Sequence, residues 1–255
     1  MVVEKALKIL IIRFSSIGDI VLTTPIIRTL KIQGHHQIHY LTKKQFHQVL
    51  DGSPHIDKTH ILDNNLKEVI EDLKKEKFDF IVDLHKNLRS LRVKLALKKP
   101  SASFNKLNRQ KWLMVNLKIN KLPDLHIVDR YFEAVRSLGI INDLKGLDYF
   151  FDEKDHIDQD NLPAEFKSGY IAFVIGGKHK TKIFPQEKIV SLCKKIKVPV
   201  ILLGGPDDKD LGESVVHSAG GMILNTCGKY NINQSASIVK QSLVVITNDT
   251  GLMHI

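Results

Sequence analysis

The apolar residues of this chain fall into short uninterrupted runs that alternate with stretches of helical spacing. Residues 8–13 (KILIIR) form a β-branched run without helical period, as strands buried on both faces of a parallel sheet read. Over residues 19–30 the apolar positions Ile20, Leu22, Ile26, Ile27 and Leu30 recur at helical intervals, with Pro25 inside the stripe. That proline either takes a first helical position behind Thr24 as N-cap or kinks a helix begun at Asp19. Further strands are predicted over 37–41, 59–62 and 78–84, and helices over 65–77, 88–97 and 127–138, the last closed by Gly139. This alternation predicts α/β units of the doubly wound, parallel-sheet type.

Between residues 143 and 168 the periodicity fades and acidic residues gather (DEKDHIDQDNLPAEF), and the pattern restarts at 170–175 (YIAFVI). A boundary is expected there, giving an N-terminal unit over 1–160 and a C-terminal unit over 161–255. The second half predicts strands over 170–175, 198–203, 222–224 and 243–247, and helices over 185–196, after Gly205, and over 233–241. Sheets of this type usually carry about six strands, so the C-terminal unit is expected to be truncated at Ile255.

Charge narrows the class of partner. The net charge of +10 points to something anionic, without choosing among nucleic acid, phospholipid headgroups and a phosphorylated small substrate. Aromatic residues make up 7% of the chain and are not interleaved with the basic run over 86–111, so nucleic acid is not the expected partner. Cys193 and Cys227 form no C-x-x-C pattern, which fits a reducing cytoplasm and argues against a zinc site or a disulfide framework. The first apolar run stops at Arg13 after about six residues, well short of the ~20 of a membrane span. No signal peptide or transmembrane helix is predicted. His35, His36, His39 and His47 show no ligand spacing and are expected to be solvated, and Trp112 is expected to anchor packing.

In open α/β sheets ligands bind beyond the carboxyl ends of the strands. After the first strand come Ser15, Ser16, Gly18 and Asp19: two hydroxyls, a glycine that admits a ligand to the backbone, and a carboxylate at a helix start. Asp19 there is either a helix cap or a chemical group. Residues 176–185 (GGKHKTKIFP) place two glycines and Lys178, Lys180 and Lys182 after a buried strand, which suits either a phosphate or a solvated basic loop. Residues 248–254 (NDTGLMH) end another strand, with Thr250 and Gly251 able to present donors to a diphosphate and Asp249 or His254 able to orient them. The pattern is not G-x-G-x-x-G, so no nicotinamide or flavin cofactor is indicated.

These segments, KILIIRFSSIGDIVLTTPIIRTLK over 8–31, KIFP over 182–185, GGPDD over 204–208 and NDTGLMH over 248–254, resemble glycosyltransferase family 9, the ADP-heptose:lipopolysaccharide heptosyltransferases. The resemblance implies a GT-B fold of two Rossmann-like domains, the N-terminal one binding the acceptor and the C-terminal one the nucleotide sugar. It implies a metal-independent, inverting transfer of a heptose or related sugar, with Asp19 as the catalytic base. Lys182, Asp249, Thr250, Gly251 and His254 are expected on the donor, with ADP-heptose the donor that the resemblance implies; it is a substrate, so no cofactor is expected. Ser15, Ser16, Gly18, Asn87 and Arg89 are expected on an anionic lipopolysaccharide-core acceptor. His126 and Arg130 resemble an element near the acceptor side, with capping or core packing as the alternative for His126. Phe184 stands where many members have tryptophan. Most of the basic run reads as solvated surface, and a minority of it as peripheral contact with the cytoplasmic face of the inner membrane. A nucleotide-sugar epimerase of the same fold is the runner-up, against which the motifs argue; a catalytically inactive truncated member is the other alternative.

Overall fold

The computed structural model describes residues 5–177 and 180–255. The chain divides into two compact units, Met1–Tyr149 and Phe150–Ile255. In the first, β1 (Lys8–Ile12), β2 (Gln37–Lys43), β3 (Lys58–Leu62), β4 (Phe80–Asp83) and β5 (Ser101–Ser103) form a parallel sheet in the order β3-β2-β1-β4-β5. The aliphatic run is the central strand: Ile9, Leu10, Ile11 and Ile12 are fully buried. Helices α1 (Ile17–Val21), α2 (Thr24–Gly34), α3 (Leu66–Lys75), α4 (Leu88–Leu97), α5 (Asn108–Leu117) and α6 (Ile127–Phe132) complete the unit. Leu73 of α3 and Val93 of α4 pack with Leu10, Ile12 and Phe14 in one core.

Pro25 divides the predicted 19–30 stripe into two helices. It has no N–H to donate and its ring would clash with the carbonyl of Val21, so α1 stops there and α2 restarts with Thr23, not Thr24, as N-cap. The helix expected over 127–138 is likewise two pieces, α6 and a 3₁₀ turn Arg136–Leu138, closed by Gly139 at φ 71°.

The second unit carries β6 (Ile171–Val174), β7 (Val200–Leu203), β8 (Ile223–Asn225) and β9 (Val244–Thr247), all parallel in the order β8-β7-β6-β9, with α7 (Gln186–Lys195), α8 (Lys209–Ala219) and α9 (Ile232–Gln241). This repeats the β3-β2-β1-β4 order of the first sheet. In both, the chain reverses direction across the sheet between the first strand and the fourth, so the switch points lie at the carboxyl ends of β1/β4 and of β6/β9.

The division between units falls at Tyr149 and Phe150, earlier than the expected 160/161. Buried Arg28 of α2 holds Asp143 through both carboxylate oxygens at 2.9 and 2.7 Å and also pairs with Asp148, which ties that segment to the first unit. The acidic turns that follow belong to α9: Asp155 accepts from Asn231 at 2.8 Å, and the Ile157 N–H donates to Ser237 Oγ at 2.9 Å. No helix among the described residues is long and apolar enough to cross a membrane.

Candidate functional site

At the switch point of the first unit the organising residue is one that the sequence pattern presents only as the end of a strand. Arg13 is 8% exposed. Its Nε donates to the Ser15 carbonyl at 2.7 Å, one terminal nitrogen to the Leu84 carbonyl at 2.6 Å, and the other pairs with Asp19 Oδ2 at 2.8 Å. The guanidinium also lies 5.9 Å from the Tyr131 ring centre. It therefore joins the ends of β1 and β4 to the Asp19 carboxylate.

Asp19 sits in the first turn of α1, two residues after Ile17 and one after buried Gly18. Its Oδ2 accepts from the Ser16 N–H at 3.1 Å and from Ser16 Oγ at 2.9 Å as well as from Arg13. The Ser16 N–H contact is half of a capping box. Among the described residues no donor reaches Oδ1. The cap and the Arg13 pair thus both use one oxygen of the carboxylate. Burial by itself would raise the Asp19 pKa, but the Arg13 cation and the Ser16 bonds outweigh it and hold the carboxyl below its ordinary range.

At the last residue of β4, buried Asp83 accepts from the His85 and Lys86 N–H groups at 3.1 and 2.7 Å, from Ser90 Oγ at 2.8 Å and from Lys94 at 3.1 Å. Asn87 is the N-cap of α4, its Oδ1 accepting from the Ser90 N–H at 2.9 Å. Arg89 lines a cavity of about 590 Å³ over the carboxyl ends of β2 and β3, with Lys43, Lys44, Gln45, Asp63 and Asn64. Three cations and one carboxylate there leave a net positive wall. Lys106 is half-buried, and its pKa is lowered by burial and then by Arg13. His126 caps α6, accepting from the Val128 N–H at 3.3 Å, while buried Arg130 donates to the Asn105 carbonyl and lies 5.8 Å from the Phe104 ring centre.

In the second unit the loops after β6, β7 and β9 approach so closely that a Cβ on either glycine after β6 would crowd its neighbours. A Cβ on Gly176 would stand 2.1 Å from Asp208 Oδ2 and 3.2 Å from Gly204 Cα; one on Gly177 would meet Ile183 and Thr250, each at 3.3 Å. Asp208 Oδ2 accepts from the Gly205 N–H at 2.8 Å, so the GGPDD segment is a capped turn. Lys182 Nζ pairs with Asp249 Oδ2 at 2.6 Å, both side chains largely exposed, and the lysine lowers the Asp249 pKa. The Thr250 hydroxyl is buried with no hydrogen-bond partner among the described residues. Gly251 and His254 bound a 3₁₀ turn. Lys178 lies outside the described residues.

Two histidines expected in solvent are buried. His36 and His39 are 4% and 1% exposed, and His39 Nδ1 stands 2.9 Å from His60 Nε2 and 3.9 Å from Glu76 Oε2. These three residues have ligand atoms within 4.8 Å of one another. The spacing also satisfies a neutral histidine pair: Lys8 and Lys58 each reach Glu76 at 2.5 Å and pull its pKa down to about 2, so its charge is already balanced. This cluster is hidden from a linear reading, since strand register brings His39 and His60 together and the end of α3 adds Glu76. Burial, then His39, pushes His60 down to about 4, and burial, then Arg13, does the same to His85. Unfolded histidine titrates near 6.5. The unfolded chain therefore takes up protons first, and stability is expected to fall as pH drops from about 6.5 to about 4. Urea midpoints at pH 7 and pH 5 check this; His60→Gln should flatten part of the dependence, and an unchanged midpoint would contradict it.

Two parallel doubly wound units, each with its polar loops at its own switch point, define a two-unit α/β protein of the class whose ligands bind at those points. The model of glycosyltransferase family 9 (heptosyltransferase) matches residues 66–255, and the chain belongs to this family. It is a glycosyltransferase of GT-B fold. Lipopolysaccharide heptosyltransferase 1 of Campylobacter coli is 24% identical, the match covering 98% of this chain and 80% of that protein. The crystal structure of a family 9 glycosyltransferase from Veillonella parvula superposes with a TM-score of 0.79 at 21% identity, covering 97% of this chain and 76% of that one. The ADP-heptose lipopolysaccharide heptosyltransferase II of E. coli gives 0.76 at 19% identity, covering 97% and 80%.

Proposed function

We propose that the chain transfers a heptose or related sugar from a nucleoside diphosphate, ADP being the favoured nucleotide, to an anionic lipopolysaccharide-core acceptor. The observation that carries this reading is the Asp19 carboxylate: ionised, held through Oδ2, and open at Oδ1 at a switch point. The acceptor hydroxyl oxygen attacks the anomeric carbon as its proton passes to Asp19 Oδ1. The bond from that carbon to the diphosphate oxygen breaks, and a single displacement of this kind inverts the anomeric centre. The leaving diphosphate gains negative charge that Lys182 meets, released from Asp249, together with the unpaired Thr250 hydroxyl and the backbone at Gly251. A lysine in this role replaces the cation that a metal would supply. His254 stands at the end of the same turn.

On the acceptor side Ser15, Ser16 and Gly18 surround the base, and Lys43, Lys44 and Arg89 offer charge to acceptor phosphates or carboxylates. Asn87 contributes by fixing the start of α4. Calorimetry with ADP-, UDP- and GDP-sugars tests the donor assignment. Lys182→Ala is expected to weaken donor binding about 10- to 100-fold, the range of one charge-assisted hydrogen bond. Equal affinity in this variant would remove Lys182 from the phosphate site, and no binding of any nucleotide sugar by the unaltered chain would overturn the reading.

A further inference from the structure

Helix α5 alone among the α-helices of the described residues buries none of its side chains. Trp112, Met114, Val115, Leu117 and, just beyond the helix, Ile119 are 44–66% exposed. Trp112 was expected to anchor packing; instead it and Leu113 line an apolar hollow that opens to solvent. Four consecutive apolar residues, 112–115, wrap the helix, so no rotation about its axis could hide them against the sheet. The patch is set among exposed Arg109, Lys111, Lys118 and Lys121, none of which pairs with a carboxylate of the described residues. No acidic residue occurs between 105 and 123.

A contiguous apolar patch of this kind is unfavourable in water and marks an interaction surface. Its charge selects the occupant. A two-fold contact with a second copy would set these cations against themselves. The boundary of an anionic bilayer satisfies both components, taking the apolar side chains and Trp112 to the base of the headgroups and the cations to lipid phosphates. We infer that α5 and the residues following it dock the enzyme on an anionic lipid surface. The inference rests on the proposed acceptor reading only in that a lipid-anchored acceptor is then met at the surface that holds it.

Trp112 is the only tryptophan in the chain, so its emission reports the contact directly. With vesicles of phosphatidylcholine containing phosphatidylglycerol, a blue shift and co-flotation of the full chain are expected. With phosphatidylcholine alone, neither should appear. Lys118→Gln with Lys121→Gln keeps the tryptophan and is expected to lower partitioning about 25-fold, near fivefold for each cation. Trp112→Ser with Val115→Ser should abolish flotation. Because α5 contributes nothing to the core, these variants should retain the melting temperature of the parent chain. Equal response to neutral and anionic vesicles, or unchanged binding by the lysine variant, would overturn the inference. So would a blue shift that grows with protein concentration in the absence of lipid, which would indicate a second copy. Donor titration on the same samples separates the two readings: a chain that binds nucleotide sugar and ignores vesicles loses the docking surface alone.

Discussion

Asp19→Asn is expected to lower turnover by about 10²- to 10⁴-fold, the contribution of a positioned general base, while nucleotide-sugar affinity stays within about twofold. The amide has the shape of the carboxylate and can still accept from the Ser16 N–H through one oxygen, so the start of α1 should persist. What it lacks is the negative charge and the basic Oδ1. Donor binding is proposed for residues of the second unit, Lys182 and Thr250, and should not register the change. Steady-state kinetics beside donor calorimetry tests this: retained turnover would leave Asp19 a helix cap, and a matching loss of donor affinity would place it in the donor site instead.

Arg13 carries the second large effect. Its fork serves two carbonyl oxygens and a carboxylate at once. Arg13→Lys keeps the charge but cannot reach all three, and each buried carbonyl left without a donor costs about 1–3 kcal/mol. A stability loss of about 2–4 kcal/mol is expected from the Ser15 and Leu84 carbonyls together, with little credit to the half-exposed ion pair. Arg13→Gln removes the cation as well. Burial of Asp19 is then no longer opposed by it, so the carboxyl pKa rises. The base must be ionised to act, and the acid limb of the kcat/KM profile should move to higher pH, while Ser16→Ala, which removes one hydrogen bond, moves it less. A limb that stays in place would separate Arg13 from the reaction.

Much of this arrangement was legible because parallel strands buried on both faces leave unbroken aliphatic runs. Residues 8–13, 170–175 and 198–203 mark β1, β6 and β7, and the loops after them carry the glycines and the polar groups of both rims. β5 escaped because three residues with a single alanine between serines carry no hydrophobic signal. α5 escaped for the opposite reason: with no face against the core it has no periodic stripe. Arg13 was visible as a charge closing an apolar strand directly before the glycine-bearing turn, a cue that it was held rather than solvated. Arg28, with apolar neighbours in the α2 stripe, gave a similar cue, but its partners Asp143 and Asp148 lie more than a hundred residues away. The buried pair His39 and His60 depends on register between β2 and β3, which no linear pattern displays.

Transfer itself tests the central claim most directly. The chain would be incubated with ADP-heptose and a lipopolysaccharide-core acceptor that lacks heptose, and the acceptor mass followed by mass spectrometry. Gain of a single heptose by the acceptor, abolished by Asp19→Asn in a protein that still binds the donor, is the predicted result. An acceptor left unmodified by the donor-loaded chain, or modified equally by the Asp19→Asn variant, would contradict it.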